Sequence, residues 1–200
     1  DKLIDAKSIY EGREEDNKNV EKIFSISSKK EIGTVVFDNP KNIKQSLTKS
    51  LKTTWSNTSP NERSEILNKI ANNIEEEPYE LIYFLINEAG KTIQNAIDEI
   101  REAVDFLRYY SNQILKISDA SDLEGPTGEE NLITYTSKGR FLCISPWNFP
   151  VAILIGQISA ALACGNKVIV KPSEHTSILG YLVVKKFHEL GIPKDALELI

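Results

Sequence analysis

The sequence predicts an α/β fold: a layer of helices, a connecting hairpin, and the first half of a doubly wound, Rossmann-like sheet. Three observations carry this. After residue 140 the chain alternates between strand-like and helix-like runs, FLCIS, VAILIGQISAALAC, KVIVKP, SILGYLVVKKFHEL and ALELI. That βαβαβ rhythm calls for parallel strands. Before it, over residues 59–107, apolar residues recur at steps of three and four, the spacing of a buried helix face. Between the blocks, LITYT and FLCI flank SKG, which reads as two strands joined through a glycine-containing turn.

The elements follow in order. Residues 1–30 are polar and charge-rich without a sustained period, and are expected to form an extended N-terminal arm or linker. EIGTVVF, residues 31–37, has the β-branched content of a short strand and is closed by the turn-forming DNP. A first helix is expected over residues 40–55. The next starts at SPNE, where Ser59 and Glu62 have capping-box spacing and Pro60 takes the first turn. Its apolar positions are Ile66, Leu67, Ile70 and Ile74. A further helix begins near Pro78, runs through Leu81, Ile82, Leu85 and Ile86, and stops at Gly90, suited to a left-handed cap. The longest shows Ile93, Ile97, Ile100, Val104 and Leu107 as its core stripe. Residues 119–130 form a turn-rich connector. In the last block the helices over 151–164 and 177–190 stop at Gly165 and Gly191. The organisation is therefore an arm (1–30), a strand with helices (31–130), a hairpin (131–144) and a half-sheet (141–200), with no internal repeat.

Composition narrows the function. A chain of 200 residues with 40% hydrophobic and 8% aromatic content can build one good core. A net charge of −5 from 24 basic and 29 acidic residues, well mixed, leaves no basic stripe, which argues against nucleic acid and anionic membrane as partners. The longest apolar run, residues 151–164, is broken by Gln157 and Ser159 and is shorter than the roughly 20 residues of a bilayer span. Cys143 and Cys164 are the only cysteines and have no ligand spacing. Neither a disulfide framework nor a metal site is expected, and reduced, cytoplasmic use follows. The chain starts charged with no apolar h-region and contains no methionine, so it is expected to be a piece of something longer.

In open α/β sheets ligands bind outside the carboxyl ends of the strands. The turns SPWNFP and KPSEH both leave strands at that end and are expected to face one crevice. Lys171 and Glu174 can both hydrogen-bond vicinal hydroxyls, and a carboxylate there repels a 2′-phosphate, favouring NAD over NADP. The bland alternative is a solvated charged turn. Trp147 offers one indole donor, and Asn148 two amide donors, to an oxygen that gains charge. With Pro150 in the first turn of the following helix, Asn148 is expected at a positive helix end that favours an anion. The alternative is a capping asparagine beside a packed tryptophan. Asp98, Glu102 and Asp105 share one helix face with Arg101 in reach of two of them, so a surface ion-pair ladder is the simplest expectation. Cys143 lies in a strand and Cys164 ends a buried helix, and neither setting activates a thiolate. His188 lies near the end of its helix, where a surface role or one at the C-terminal end of the helix dipole is expected rather than catalysis.

ISPWNFP followed by VIVKPSEHT resembles the signature of the aldehyde dehydrogenase superfamily. Within it, EAGKTIQNAIDEIREAVDFLRYY together with SPWNFPVAILIGQISAALACGNKVIVKPSE is similar to glutamate-semialdehyde (1-pyrroline-5-carboxylate) dehydrogenases, including the module of bifunctional proline utilization A proteins. The resemblance spans residues 27–200. It implies oxidation of L-glutamate γ-semialdehyde to L-glutamate with NAD, in proline catabolism. It further implies that Asn148 donates to the thiohemiacetal oxyanion and that Ile144, Ser145 and Trp147 line the phosphates and ribose of NAD. Lys171 and Glu174 would hold the adenosine ribose, Phe149 would pack on the aliphatic part of the substrate, and Glu102 would meet its ammonium group. The 131–144 hairpin would serve homo-oligomerisation. In the family the cysteine nucleophile and the general base lie downstream, so the chain alone is expected to be inactive. Two competing readings are another aldehyde substrate, and a non-catalytic scaffold that uses the open edge of its half-sheet to recruit partners.

Overall fold

The computed structural model describes residues 3–48, 53–118 and 122–200, with residues 45, 46 and 122 described in backbone only. Five strands come first: β1 (Ile4–Lys7), β2 (Ile9–Tyr10), β3 (Arg13–Glu14), β4 (Val20–Phe24) and β5 (Glu31–Val36). Four helices follow, α1 (Pro40–Thr48), α2 (Pro60–Glu76), α3 (Tyr79–Asn87) and α4 (Ile93–Ser118), with a 3-10 turn at Thr54–Asn57 before α2. After the short strands β6 (Asp122–Leu123) and β7 (Asn131–Leu132) comes the alternating block. It consists of β8 (Arg140–Ile144), α5 (Ala152–Ala163), β9 (Lys167–Lys171), a 3-10 turn at Glu174–Thr176, α6 (Ser177–Leu190) and β10 (Leu197–Leu199).

The βαβαβ rhythm folds as its spacing requires: β8, β9 and β10 are parallel neighbours, with Phe141 opposite Val168 and Leu197 opposite Val168 on the other side. The full sheet runs β3-β2-β10-β9-β8. The β10 side of the half-sheet is closed, because Ile9 of β2 pairs antiparallel with Leu199, whereas β8 ends the sheet with β9 as its one strand partner among the described residues. Helices α5 and α6 both pack on α2, which sets the helical layer against the half-sheet.

The first thirty residues depart from the expected arm. They carry four strands, and β1 and β4 flank β5 in a second sheet. These strands are only two to five residues long and β4 is largely exposed, too little alternation for a period to emerge. Gly33 allows the tight β1–β5 contact, since a Cβ there would stand 2.1 Å from the Ile4 carbonyl oxygen.

The expected hairpin is also replaced. β7 pairs antiparallel with β6 and not with β8, and β8 pairs with β9. Gly139, at φ +124°, feeds the chain into the sheet: its amide donates to Asn166 Oδ1 at 2.9 Å and its carbonyl accepts from Lys167 at 2.8 Å. The glycine serves β9, and the 133–139 segment has no strand partner among the described residues.

In the helical layer Ser59 Oγ accepts from the Glu62 amide at 3.2 Å, the cap read from SPNE. Helix α1 is shorter than expected, and residues 49–52 of the expected span lie outside the described residues. Gly90, at φ +71°, ends the loop after α3, where the Lys91 amide donates to Leu85 O at 3.0 Å. The stripe of α4 is offset from expectation. Ile93 and Ile97 are exposed, while Ala96, Ile100, Ala103, Val104 and Leu107 are buried, because small alanines let α2 and α5 approach. His188 is half-buried in the last turn of α6, where its Nε2 pairs with Leu197 O at 2.9 Å, and burial lowers its pKa.

Helix α5 is apolar all round because it is enclosed between α4 and the sheet. Its carboxyl end is closed from the helical layer, where Trp55 Nε1 donates to Leu162 O at 2.7 Å and Arg63 Nε to Ala163 O at 2.8 Å. Helix α6 is closed at its amino end by Glu88, whose two oxygens accept from the amides of Ile178 (2.8 Å) and Leu179 (3.0 Å). Burial pushes the Glu88 carboxyl up to about 7 against the opposing pull of those amides. The folded chain therefore holds this proton more tightly than the unfolded chain, and the associated stability is present in full below about pH 4.5 and is lost as pH rises toward 7. At 1.36 kcal/mol per pKa unit the wild type should lose roughly 3 kcal/mol over that window relative to Glu88→Gln. Paired urea titrations of both proteins across the window check this, and equal slopes would refute it.

Candidate active site

The turn SPWNFP leaves the carboxyl end of β8, and KPSEH leaves that of β9. The two exit side by side, since the Ser145 amide donates to Lys171 O at 3.2 Å. Trp147, Glu174, His175 and the buried Thr176 line one cavity of ≈ 730 Å³ whose opposite wall includes Phe24 and Glu88. The two turns thus share a crevice, as their place in the rhythm predicts. Lys171 and Glu174 also border a second, mostly apolar cavity of ≈ 290 Å³ together with Val36, Phe37 and Leu199.

Within the second turn Lys171 Nζ lies 3.8 Å from Glu174 Oε2 and donates to Pro172 O at 2.9 Å. Both side chains are solvent-facing. The Glu174 carboxyl is held below its ordinary range, chiefly by its own backbone amide at the start of the 3-10 turn and next by the Lys171 charge. Such a pair presents an ionised acceptor and a donor together.

Within the first turn Ser145 is buried, and its Oγ has no hydrogen-bond partner among the described residues. Ile144 and Trp147 are exposed. Asn148 is exposed and makes no hydrogen bond among the described residues, so its two amide donors are available. The ring of Phe149 is partly exposed and carries an ammonium on one face, with Lys91 Nζ 4.1 Å from its centroid.

The helix-end expectation for Asn148 needs correction. The first amides of α5 are already taken: Val151 (2.8 Å) and Ala152 (3.1 Å) both donate to Glu99 Oε1. Glu99 is buried on α4, and its Oε2 pairs with Lys91 Nζ at 2.6 Å. A carboxylate of the protein itself fills the site where a helix N-terminus would attract a ligand's anion. Sequence reasoning missed Glu99 and Glu88. A signal existed for the first, since Glu99 falls among Ala96, Ile100 and Ala103 on the buried face of α4, and a charge in such a stripe requires a partner.

Glu102 is exposed, one turn beyond Glu99 and one turn before Phe106, whose ring meets Gly156 of α5. It therefore sits on the side of α4 that faces the start of α5. The ion-pair ladder expected around Arg101 does not form among the described residues, and Asp98 instead accepts from Gln94 Nε2 at 2.9 Å. Cys143 is buried, which pushes its thiol up to about 11. Cys164, expected at a buried helix end, is exposed, but it lies at the far end of α5, roughly 18 Å from the turn at 1.5 Å per residue.

Removing Glu99 should uncap α5 and strand the Lys91 charge. Glu99→Ala is expected to lower unfolding free energy by about 3 kcal/mol, the scale for breaking a buried, hydrogen-bonded ion pair. Urea denaturation checks this, and a loss under about 0.5 kcal/mol, typical of a surface change, would contradict the capping role.

Comparison with known proteins gives a consistent family. The model of the aldehyde dehydrogenase family matches residues 13–200. The bifunctional protein PutA of Salmonella typhimurium is 44% identical over 146 residues, which are 73% of this chain and 10% of that protein. The 1-pyrroline-5-carboxylate dehydrogenase of Geobacillus kaustophilus is 40% identical over 147 residues, 74% of this chain and 28% of that one. A crystal structure of 1-pyrroline-5-carboxylate dehydrogenase from Thermus with bound NAD superposes with a TM-score of 0.90 at 30% identity, covering 98% of this chain and 39% of its own. The chain thus spans well under half the length of each.

Proposed function

Because the chain belongs to the aldehyde dehydrogenase family, we propose that it forms the first part of an NAD-dependent dehydrogenase acting on L-glutamate γ-semialdehyde and yielding L-glutamate, as in proline catabolism. The observation that carries this reading is the side-by-side exit of SPWNFP and KPSEH from adjacent parallel strands into one crevice. The likeness to PutA and to 1-pyrroline-5-carboxylate dehydrogenases supports the choice of substrate.

Two features of the chain fit NAD. The buried, unpartnered Ser145 Oγ stands at the carboxyl end of β8, where a phosphate or ribose oxygen could satisfy it. The Lys171 and Glu174 pair stands at the end of β9, and the ionised Glu174 suits ribose hydroxyls and repels a 2′-phosphate. Ile144 and Trp147 complete that wall. When bound, the nicotinamide accepts the hydride. The chain's own residues would orient the aldehyde: Asn148 donates to its oxygen as charge develops, Phe149 packs on the aliphatic segment, and Glu102 receives the ammonium. Since Glu99 has consumed the amides of α5, the Asn148 side chain carries the donor role in this turn. Exposed Leu132, Ile133 and Tyr135 offer apolar surface for assembly with further copies.

Neither cysteine is set as the nucleophile, one being buried with a raised thiol and the other remote from the turn. The purified chain is therefore expected to form no NADH from glutamate semialdehyde, and measurable turnover would overturn this. Titration with NAD should show weak binding that Lys171→Ala and Glu174→Ala each abolish. A folded chain that binds no NAD would defeat the cofactor assignment. In a dehydrogenase carrying this segment, Glu102→Gln should cost about tenfold in kcat/KM for the amino-acid aldehyde, the scale of one charge-assisted hydrogen bond. A simple aliphatic aldehyde should be nearly unaffected, and equal losses on both would remove Glu102 from the substrate site.

A further inference from the structure

An ammonium withdrawn from water requires partners. The Lys91 side chain is only 12% exposed and has two, Glu99 Oε2 at 2.6 Å and the face of the Phe149 ring at 4.1 Å. Glu99 Oε1 holds the amides of Val151 and Ala152. One ammonium thereby joins the ring before Pro150 to the carboxylate that grips the backbone after it. The loop carrying Lys91 is itself fixed, by the left-handed Gly90 and by the bond from the Lys91 amide to Leu85 O.

We infer that Lys91 is a positioning residue: it pins the Phe149 ring against the Glu99 cap, so that the exposed part of the ring presents a fixed wall beside Asn148. Phe149 is 40% exposed, and packing alone leaves such a ring loosely held. A cation over its face supplies a directional contact, and in a poorly solvated site that contact is stronger than at the open surface. The role extends the proposed substrate site and rests on the reading of Phe149 as a wall of that site. The contact itself exists without substrate.

The test uses the 200-residue chain without cofactor or substrate, so that failure of the substrate reading leaves its result intact. Side-chain relaxation on isotope-labelled phenylalanine should report a rigid Phe149 ring in the wild type. In Lys91→Met its order parameter should fall into the flexible range, below about 0.6, and Lys91→Arg should restore it, because a guanidinium can meet both carboxylate and ring. Unchanged ring order in Lys91→Met, with only the melting temperature lowered, would overturn the inference and leave Lys91 as a counter-ion to Glu99. Should Lys91→Met fail to fold, the ring current decides. The Lys91 Cε protons should be shifted upfield in the wild type and lose that shift in Phe149→Leu, and an unshifted Lys91 in the wild type would equally overturn the inference.

Discussion

Helix α5 is suspended between opposite partners supplied by other elements. It is too apolar to cap itself: Val151 at its amino end makes no side-chain cap, and the preceding residues are Phe149 and Pro150. Its free amides go to Glu99 of α4, and its last carbonyls go to Trp55 and to Arg63 of α2. A carboxylate at the positive end and a guanidinium at the negative end also match the helix dipole. Helix α6 repeats the device at one end, with no cap from Thr176 and two amides on Glu88. The half-sheet's helices therefore cannot be completed without the helical layer, and the two parts form one folding unit.

This constraint reaches the site directly. The first turn of α5 is the continuation of SPWNFP, so whatever fixes Val151 and Ala152 also fixes Phe149 and Asn148. It changes the chemistry as well. In many α/β proteins a helix amino terminus after a strand greets a ligand's anion, whereas here a glutamate of the chain has taken that place. The turn is left to act through side chains. The β9 turn differs, with Lys171 and Glu174 both exposed and 3.8 Å apart.

What the sequence made readable was local. Ser59 with Glu62, Gly90, Gly165 and Gly191 each act within a few residues of themselves, and each marks an observed boundary. The alternation after residue 140 spans whole elements, so it placed both turns at one end of a parallel sheet. The rest depended on partners far along the chain. Glu88 meets residues 90 and 91 positions away, and Glu99 meets residues 52 and 53 positions away. Strands β1 to β4 are too short to show a period, and Gly139 looked like a hairpin glycine because its true partners are Asn166 and Lys167. Of the proposed site residues, the rhythm put Ser145, Lys171 and Glu174 at the carboxyl ends of β8 and β9, while only the family resemblance suggested a role for Ser145. The ring contact of Phe149 could not be read, since nothing near it in sequence foretells Lys91.

Native-state hydrogen exchange on the amides of Val151, Ala152, Ile178 and Leu179 tests the central claim most directly. Unbonded amides at helix starts exchange rapidly, whereas amides held by buried carboxylates open only when the fold does. The account predicts that all four exchange with the free energy of global unfolding, alongside Val168 and Val170 of β9. Rapid exchange of these four while the β9 amides stay protected would show that the glutamates do not hold the helices, and the coupling of helical layer to half-sheet would fail with them.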